Sequence, residues 1–180
     1  MKQPNYIFES SRLGFRVWEE SDLDAFSRMN ADEDVMRFFP SVQTREQSRA
    51  FIERVQNHQQ THGFCYFVVD ELTSGDFIGF IGASHQDFEA PFTPCVDLGW
   101  RLLPEFWGKG YAQEGANAVL VFLEKFDLNE VYAVAPSANV PSIKVMERIG
   151  MTRRGEFRHP ALVDSPDLVD CVYYSKALIE

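Results

Sequence analysis

Long apolar runs, paired cysteines and basic patches are all missing from this chain, and each absence removes a class of function. No segment approaches the length of about 20 apolar residues that a membrane-spanning helix needs. The N-terminal stretch MKQPNYIFESS carries no apolar core of the kind a secretory leader has, so the expectation is a cytoplasmic protein without a membrane partner. Cys65, Cys95 and Cys171 are far apart, odd in number and set in apolar runs. That pattern points to reduced, buried thiols and away from a disulfide framework or a cysteine-based zinc site. Lys and Arg total 17 against 27 Asp and Glu, a net charge of -10 spread over both halves. A nucleic-acid partner, whose phosphates require clustered cations, is therefore not expected. The acidic surface suits an amine or a basic peptide and serves solubility equally well.

What is present fits one domain, expected to span residues 1–180. The chain is long enough for a full core, and 16 phenylalanines make that core aromatic-rich. No repeats, linkers or low-complexity stretches interrupt it. Leu13–Trp18 alternates as a first strand, and Ser21 with Asp24 resembles a capping box opening a short helix. Thr44 with Gln47 is a second such box, opening a helix that runs to His62-Gly63. Phe64–Val69 and Phe77–Ala83 read as strands joined at Thr73–Asp76, and Cys95–Leu103 as a fourth strand. From Tyr111 the pattern turns helical, with Ala112, Ala116, Val119, Leu120, Leu123 and Phe126 on one face. Val131–Val134 is a short fifth strand. Asn139 caps a helix that Gly150 ends, and two strands follow near 152–159 and 168–177. The order is mixed α/β around a single sheet.

The stretch PEFWGKGYAQEG, residues 104–115, joins the fourth strand to a helix through two glycines and a lysine. The first amides of a helix lack internal partners and lie at the positive end of its dipole, so they suit an anion. Glycines there let backbone approach a phosphate closely. The spacing is not that of a Walker loop, and Gln113 stands where a dinucleotide fingerprint needs its third small residue. By itself the stretch fits either a pyrophosphate cradle or a plain tight turn.

Two blocks together carry a resemblance. Glu105-Phe-Trp-Gly108-Lys-Gly110 is similar to the acyl-CoA signature of the GNAT acyltransferase superfamily: Gln or Arg, two residues, Gly, one residue, then Gly or Ala. Glu105 departs from the usual Gln or Arg, in a manner common in the RimJ/RimL-like branch. Downstream, Asn139, Ser142, Glu147, Gly150 and Met151 stand at the spacing of the family's second motif. The chain thus resembles a RimJ/RimL-like GNAT N-acetyltransferase over nearly its whole length.

The resemblance implies a mostly antiparallel sheet splayed between its fourth and fifth strands, with acetyl-CoA as co-substrate in the gap. It implies pyrophosphate on the amides of Gly108, Lys109, Gly110, Tyr111 and Ala112, and pantetheine along the backbone of Trp100, Arg101 and Leu102. Asn139 would hold the cofactor arm, and Ser142 would lie near the thioester sulfur. A primary amine, either a protein N-terminus or a small molecule, would attack the thioester directly. That step needs a base, oxyanion donors and an acid for the departing thiolate. Many relatives carry a tyrosine as the acid, but Met146 occupies that place here. Ser142 is the substitute. The resemblance makes Asp97 the candidate base, since relatives often carry an acidic residue two positions before Gly99 on this strand, and alternation puts it with Gly99 and Arg101 on one strand face. Glu156 and His159 are rivals. His58 and His62 stand four apart on a helix, but the sequence shows no third ligand beside them, and no metal is expected. The competing function is a non-catalytic acyl-CoA-binding or sensing domain. A homodimer is compatible with the sequence, which fixes neither the acceptor nor the acyl chain.

Overall fold

The computed structural model describes residues 5–178, so the first four residues of the N-terminal stretch lie outside it. Eight strands form one sheet: β1 (Phe8–Glu9), β2 (Leu13–Arg16), β3 (Tyr66–Glu71), β4 (Phe77–Gln86), β5 (Cys95–Leu102), β6 (Glu130–Pro136), β7 (Thr152–Arg158) and β8 (Asp170–Ala177). Their spatial order is β1-β2-β3-β4-β5-β6-β8-β7. Every neighbouring pair is antiparallel except β5 and β6. The helices are α1 (Leu23–Asn30), α2 (Glu33–Met36), α3 (Arg45–His62), α4 (Tyr111–Leu123) and α5 (Val140–Arg148). Among these described residues, no helix is long and apolar enough to cross a membrane.

Directly opposed residues of neighbouring strands share a face of the sheet. Phe80 on β4 packs against Phe26 of α1 and Phe51 of α3, with ring centroids 6.1 and 5.3 Å away. On the other face α4 comes so close that a Cβ at Gly115 would meet Ile81 Cδ1 at 2.2 Å. The expected helix face is the one that packs: Ala116, Val119, Leu120 and Leu123 are all buried. All three cysteines are free and buried, as expected.

Two local readings shift. The first helix is entered through a 3₁₀ turn at Glu20–Asp22, and the capping box belongs to Glu19 and Asp22 rather than Ser21 and Asp24. Asp22 cannot serve as an exposed first-turn residue because Arg16 holds it: the guanidinium spans Asp22 and Asp70 with N···O contacts of 2.8 and 2.6 Å. Strand β1, too short to show periodicity, was not legible. It is held by Phe8, whose ring stacks between Phe15 and Phe122 at 4.3 Å from each. The Thr44 box forms as expected, with Thr44 Oγ1 accepting from Gln47 N at 3.2 Å and Gln47 Oε1 from Thr44 N at 2.8 Å.

Candidate active site

β5 and β6, the fourth and fifth strands of the sequence reading, meet at a single rung, Asp97 opposite Tyr132. Beyond it the two parallel strands part, which opens a wedge between the halves of the sheet. The side of β5 that faces this wedge follows from its ladder. Leu103 N donates to Ile78 O at 2.9 Å. Antiparallel bonding alternates, so Asp97, Gly99 and Arg101 turn their backbone groups to β4, while Leu98, Trp100 and Leu102 turn theirs to the wedge. Of the three backbone partners expected for pantetheine, Trp100 and Leu102 face the gap and Arg101 does not. The Leu102 carbonyl already accepts from Trp107 Nε1 at 2.8 Å.

After β5 a 3₁₀ turn at Pro104–Phe106 leads to Gly108 and Gly110, with φ of 71° and 81°. Both lie in the left-handed region that glycine enters without strain. Gly110 is the N-cap of α4, and among the described residues no side chain caps that helix. Its leading amides are therefore left for another acceptor. Aromatic and ionic contacts hold the turn. Arg12 donates to Lys109 O at 3.1 Å, pairs with Glu114 at 2.6 Å and lies 4.2 Å over the Tyr111 ring. The Tyr111 hydroxyl donates to Glu71. Lys109 Nζ sits 5.3 Å from the Phe106 ring, beside the turn. A cradle of uncapped amides with a cation at its side fits a phosphate group.

On the α1–α3 face, Tyr66, Gly82 and Gly99 occupy one rung across three strands. A Cβ at Gly99 would lie 3.1 Å from the Tyr66 ring, so the absent side chain is what lets the phenol cross the strand. Tyr66 OH then donates to Asp97 Oδ2 at 2.9 Å and accepts from Gln86 Nε2 at 3.2 Å. Asp97 Oδ1 is sealed from solvent and has no hydrogen-bond partner among the described residues. Burial pushes the Asp97 carboxyl up to about 7, against a smaller opposing effect from the Tyr66 hydrogen bond. Tyr66 is itself held well above its ordinary value by burial and by Asp97. Sequence reasoning missed Tyr66, which looked like one more aromatic in an apolar strand.

Arg101, four residues on, is buried and points at α1, donating to Asn30 Oδ1 at 2.6 Å and lying 4.1 Å over the Phe39 ring. Desolvation lowers its guanidinium to about 10. Across the wedge, Asn139 caps α5 by accepting from Ser142 N at 3.2 Å, which leaves the Ser142 hydroxyl outside the cap. Met146 is 1% exposed and belongs to the core. Of the rival bases, Glu156 stands on the surface beside Arg153. It lies opposite Val172, on the other face from Phe157. His159 is half-buried against Phe88 at 4.5 Å, its Nδ1 accepts from Ala161 N at 3.1 Å, and burial lowers its pKa. It ends an aromatic wall in which Phe92 stacks on Tyr132 and Tyr173 at 5.3 and 4.3 Å.

Comparison with known proteins agrees with this geometry. The acetyltransferase (GNAT) domain family matches residues 12–152. The uncharacterized N-acetyltransferase YnaD of Bacillus subtilis (strain 168) is 29% identical over 152 residues, 83% of this chain and 84% of that one. An acetyltransferase (GNAT family) from Bacillus anthracis is 29% identical, with a TM-score of 0.76 over 96% of this chain and 98% of its own. RimL, a ribosomal alpha-N-protein acetyltransferase in complex with coenzyme A, shares the fold at TM-score 0.76 with 17% identity, over 96% and 98% of the two chains. A sheet that parts at one rung, a helix start left open beside it and a family match over most of the chain agree: this chain belongs to the GNAT acetyltransferase domain family.

Proposed function

We propose that the protein transfers an acetyl group from acetyl-CoA to a primary amine in a ternary complex, as a RimJ/RimL-like member of its family, with Asp97 as the base. One observation carries this reading: a desolvated carboxylate with an orphan oxygen stands on the last rung before the sheet opens. The cofactor supplies the activated acyl group. The amides from Gly108 to Ala112 hold its pyrophosphate, and Asn139 its arm. Trp100 and Leu102 present backbone groups along the wedge, and a β5 amide stabilises the developing oxyanion.

Asp97 Oδ1 takes the amine proton, directly or through a water. Tyr66 fixes the carboxylate by occupying the other oxygen. A base titrating near neutrality gives the largest product of correct protonation and driving force. Ser142, whose hydroxyl is not used by its helix cap, donates to the departing thiolate. The family resemblance favours a protein N-terminus as acceptor, with a small-molecule amine as the other candidate.

The test is thiol release from acetyl-CoA in the presence of peptides and amines. Asp97→Asn lowers kcat/KM by about 10²-fold or more while CoA affinity stays within twofold. Met146, a core residue where the resemblance places an acidic tyrosine, favours the second reading, a domain that binds acyl-CoA without turnover. CoA binding with no thiol release from any acceptor decides for that reading.

A further inference from the structure

The third histidine that the sequence reading found missing is supplied by the fold. His58 and His62 stand one turn apart near the end of α3, and β4 brings His85 beside them. One ring nitrogen from each lies within 4.8 Å of the other two. The ring centroids of His62 are 4.5 Å from His58 and 4.3 Å from His85.

We propose that His58, His62 and His85 form a binding site for a late first-row divalent transition metal, with Zn²⁺ the ion whose geometry fits. Three neutral imidazoles with the fourth position left to water are a known zinc donor set, and nickel and copper accept the same donors. Metal–nitrogen bonds of about 2.0–2.1 Å place tetrahedral nitrogens about 3.3 Å apart. His58 Nε2 and His85 Nδ1 already stand 3.1 Å apart, close to that separation.

The tautomer is set by the surroundings. His58 Nδ1 lies 2.8 Å from the Phe64 carbonyl, which only accepts, so Nδ1 carries the proton and Nε2 presents its lone pair to the cluster. A second ring nitrogen bonded to a backbone carbonyl is the usual support of a metal-bound histidine. In the metal-free protein Nε2 accepts from the His85 amide at 3.1 Å, a bond the metal replaces. His85 is exposed, so its amide passes to water without loss of a buried bond.

The consequence is a clamp. The metal joins the C-terminal end of α3 to β4 one residue before Gln86, which donates to the Tyr66 hydroxyl. The proposal does not depend on the acyl-transfer reading, and none of the three side chains has a part in it.

The experiment is calorimetric titration of the metal-free, untagged protein with Zn²⁺. A parallel titration with Cu²⁺ is read by electron paramagnetic resonance. Expected are one saturable Zn²⁺ per chain, a rise in Tm on binding and nitrogen superhyperfine structure from Cu²⁺ at one equivalent. His62→Gln and His85→Gln, both exposed positions that keep the fold by circular dichroism, each lower Zn²⁺ affinity at least about tenfold and abolish the Tm rise. Their acetyltransferase turnover is unchanged. Absence of one-equivalent binding overturns the proposal. So does a Cu²⁺ spectrum without nitrogen ligands, or undiminished Zn²⁺ affinity in His85→Gln.

Discussion

Asp97→Asn separates stability from activity, and the structure sets the size of the effect. The Asp97 carboxyl moves from 3.8 to about 7 on folding. At about 1.4 kcal/mol per tenfold change in proton affinity, this is about 4 kcal/mol of linkage. The sign follows from proton counting. Between about pH 4 and pH 7 the folded protein holds a proton on Asp97 that the unfolded chain has released, so this group's contribution to stability falls as pH rises through that window. Above pH 7 both states are ionised and the loss levels off. Asparagine cannot ionise and is exempt. Its amide brings a cost of its own, because the orphan Oδ1 site offers no acceptor, and an unmet buried donor costs about 1–3 kcal/mol at every pH. The readout is therefore the pH dependence of the difference. Urea unfolding of both proteins from pH 4.5 to 8.5 should show Asp97→Asn gaining on wild type by up to about 4 kcal/mol, most of it below pH 7, while thiol release collapses. A stability difference independent of pH would refute the desolvation of Asp97, and with it the reason for calling it the base.

Gly110→Val tests the cofactor cradle. A Cβ there meets only Arg12 Nη2 at 3.6 Å, so space is available and the penalty comes from a φ of 81°. CoA affinity by calorimetry should fall at least about tenfold with the fold retained, and unchanged affinity removes the turn from the cofactor site. Ser142→Ala should lower kcat with little change in CoA affinity, because Asn139 caps α5 through the Ser142 amide and not its hydroxyl. Equal turnover would remove Ser142 from the chemistry. Arg16→Ala strands the carboxylates of Asp22 and Asp70 in a buried site, at a cost of about 3–5 kcal/mol in denaturant unfolding. A loss under about 1 kcal/mol would show that water reaches the pair. The proton-transfer step has its own signature: kcat/KM should rise with pH through about 7 in wild type, because Asp97 must be ionised to accept a proton.

What was legible divides by the distance over which a signal acts. Caps, turns and amphipathic faces are local, so the Thr44 box, the Gly108–Gly110 turn, the Asn139 cap and the buried face of α4 could be read from neighbours in sequence. Strand β1 escaped because two residues have no period, and its anchor is an aromatic stack contributed by β2 and α4. Tyr66 and His85 escaped for a related reason. Each is an unremarkable residue of its own strand and becomes chemical only through register: Tyr66 through two glycines that clear a path to Asp97, His85 through the return of α3.

The same register argument explains why Asp97 can be a base at all. On a strand with neighbours on both sides, a carboxylate four residues from a buried arginine on the same face would ordinarily pair with it or face water. Here Asp97 and Arg101 share a face but not an interaction. Gly99 stands between them, Tyr66 crosses that gap, and Arg101 is drawn to Asn30 and the Phe39 ring. Asp97 thus keeps burial without a counter-ion, the combination that raises a carboxyl pKa. Filling the gap tests the part that Tyr66 plays in it. Gly99→Ala brings a Cβ to 3.1 Å from the Tyr66 ring, so the ring must give by a few tenths of an ångström and its hydroxyl bond to Asp97 is weakened. Losing a hydrogen bond that favours the charged carboxylate moves the kcat/KM profile to higher pH while its plateau falls. A profile that keeps its midpoint in Gly99→Ala would mean that Tyr66 does not hold the base.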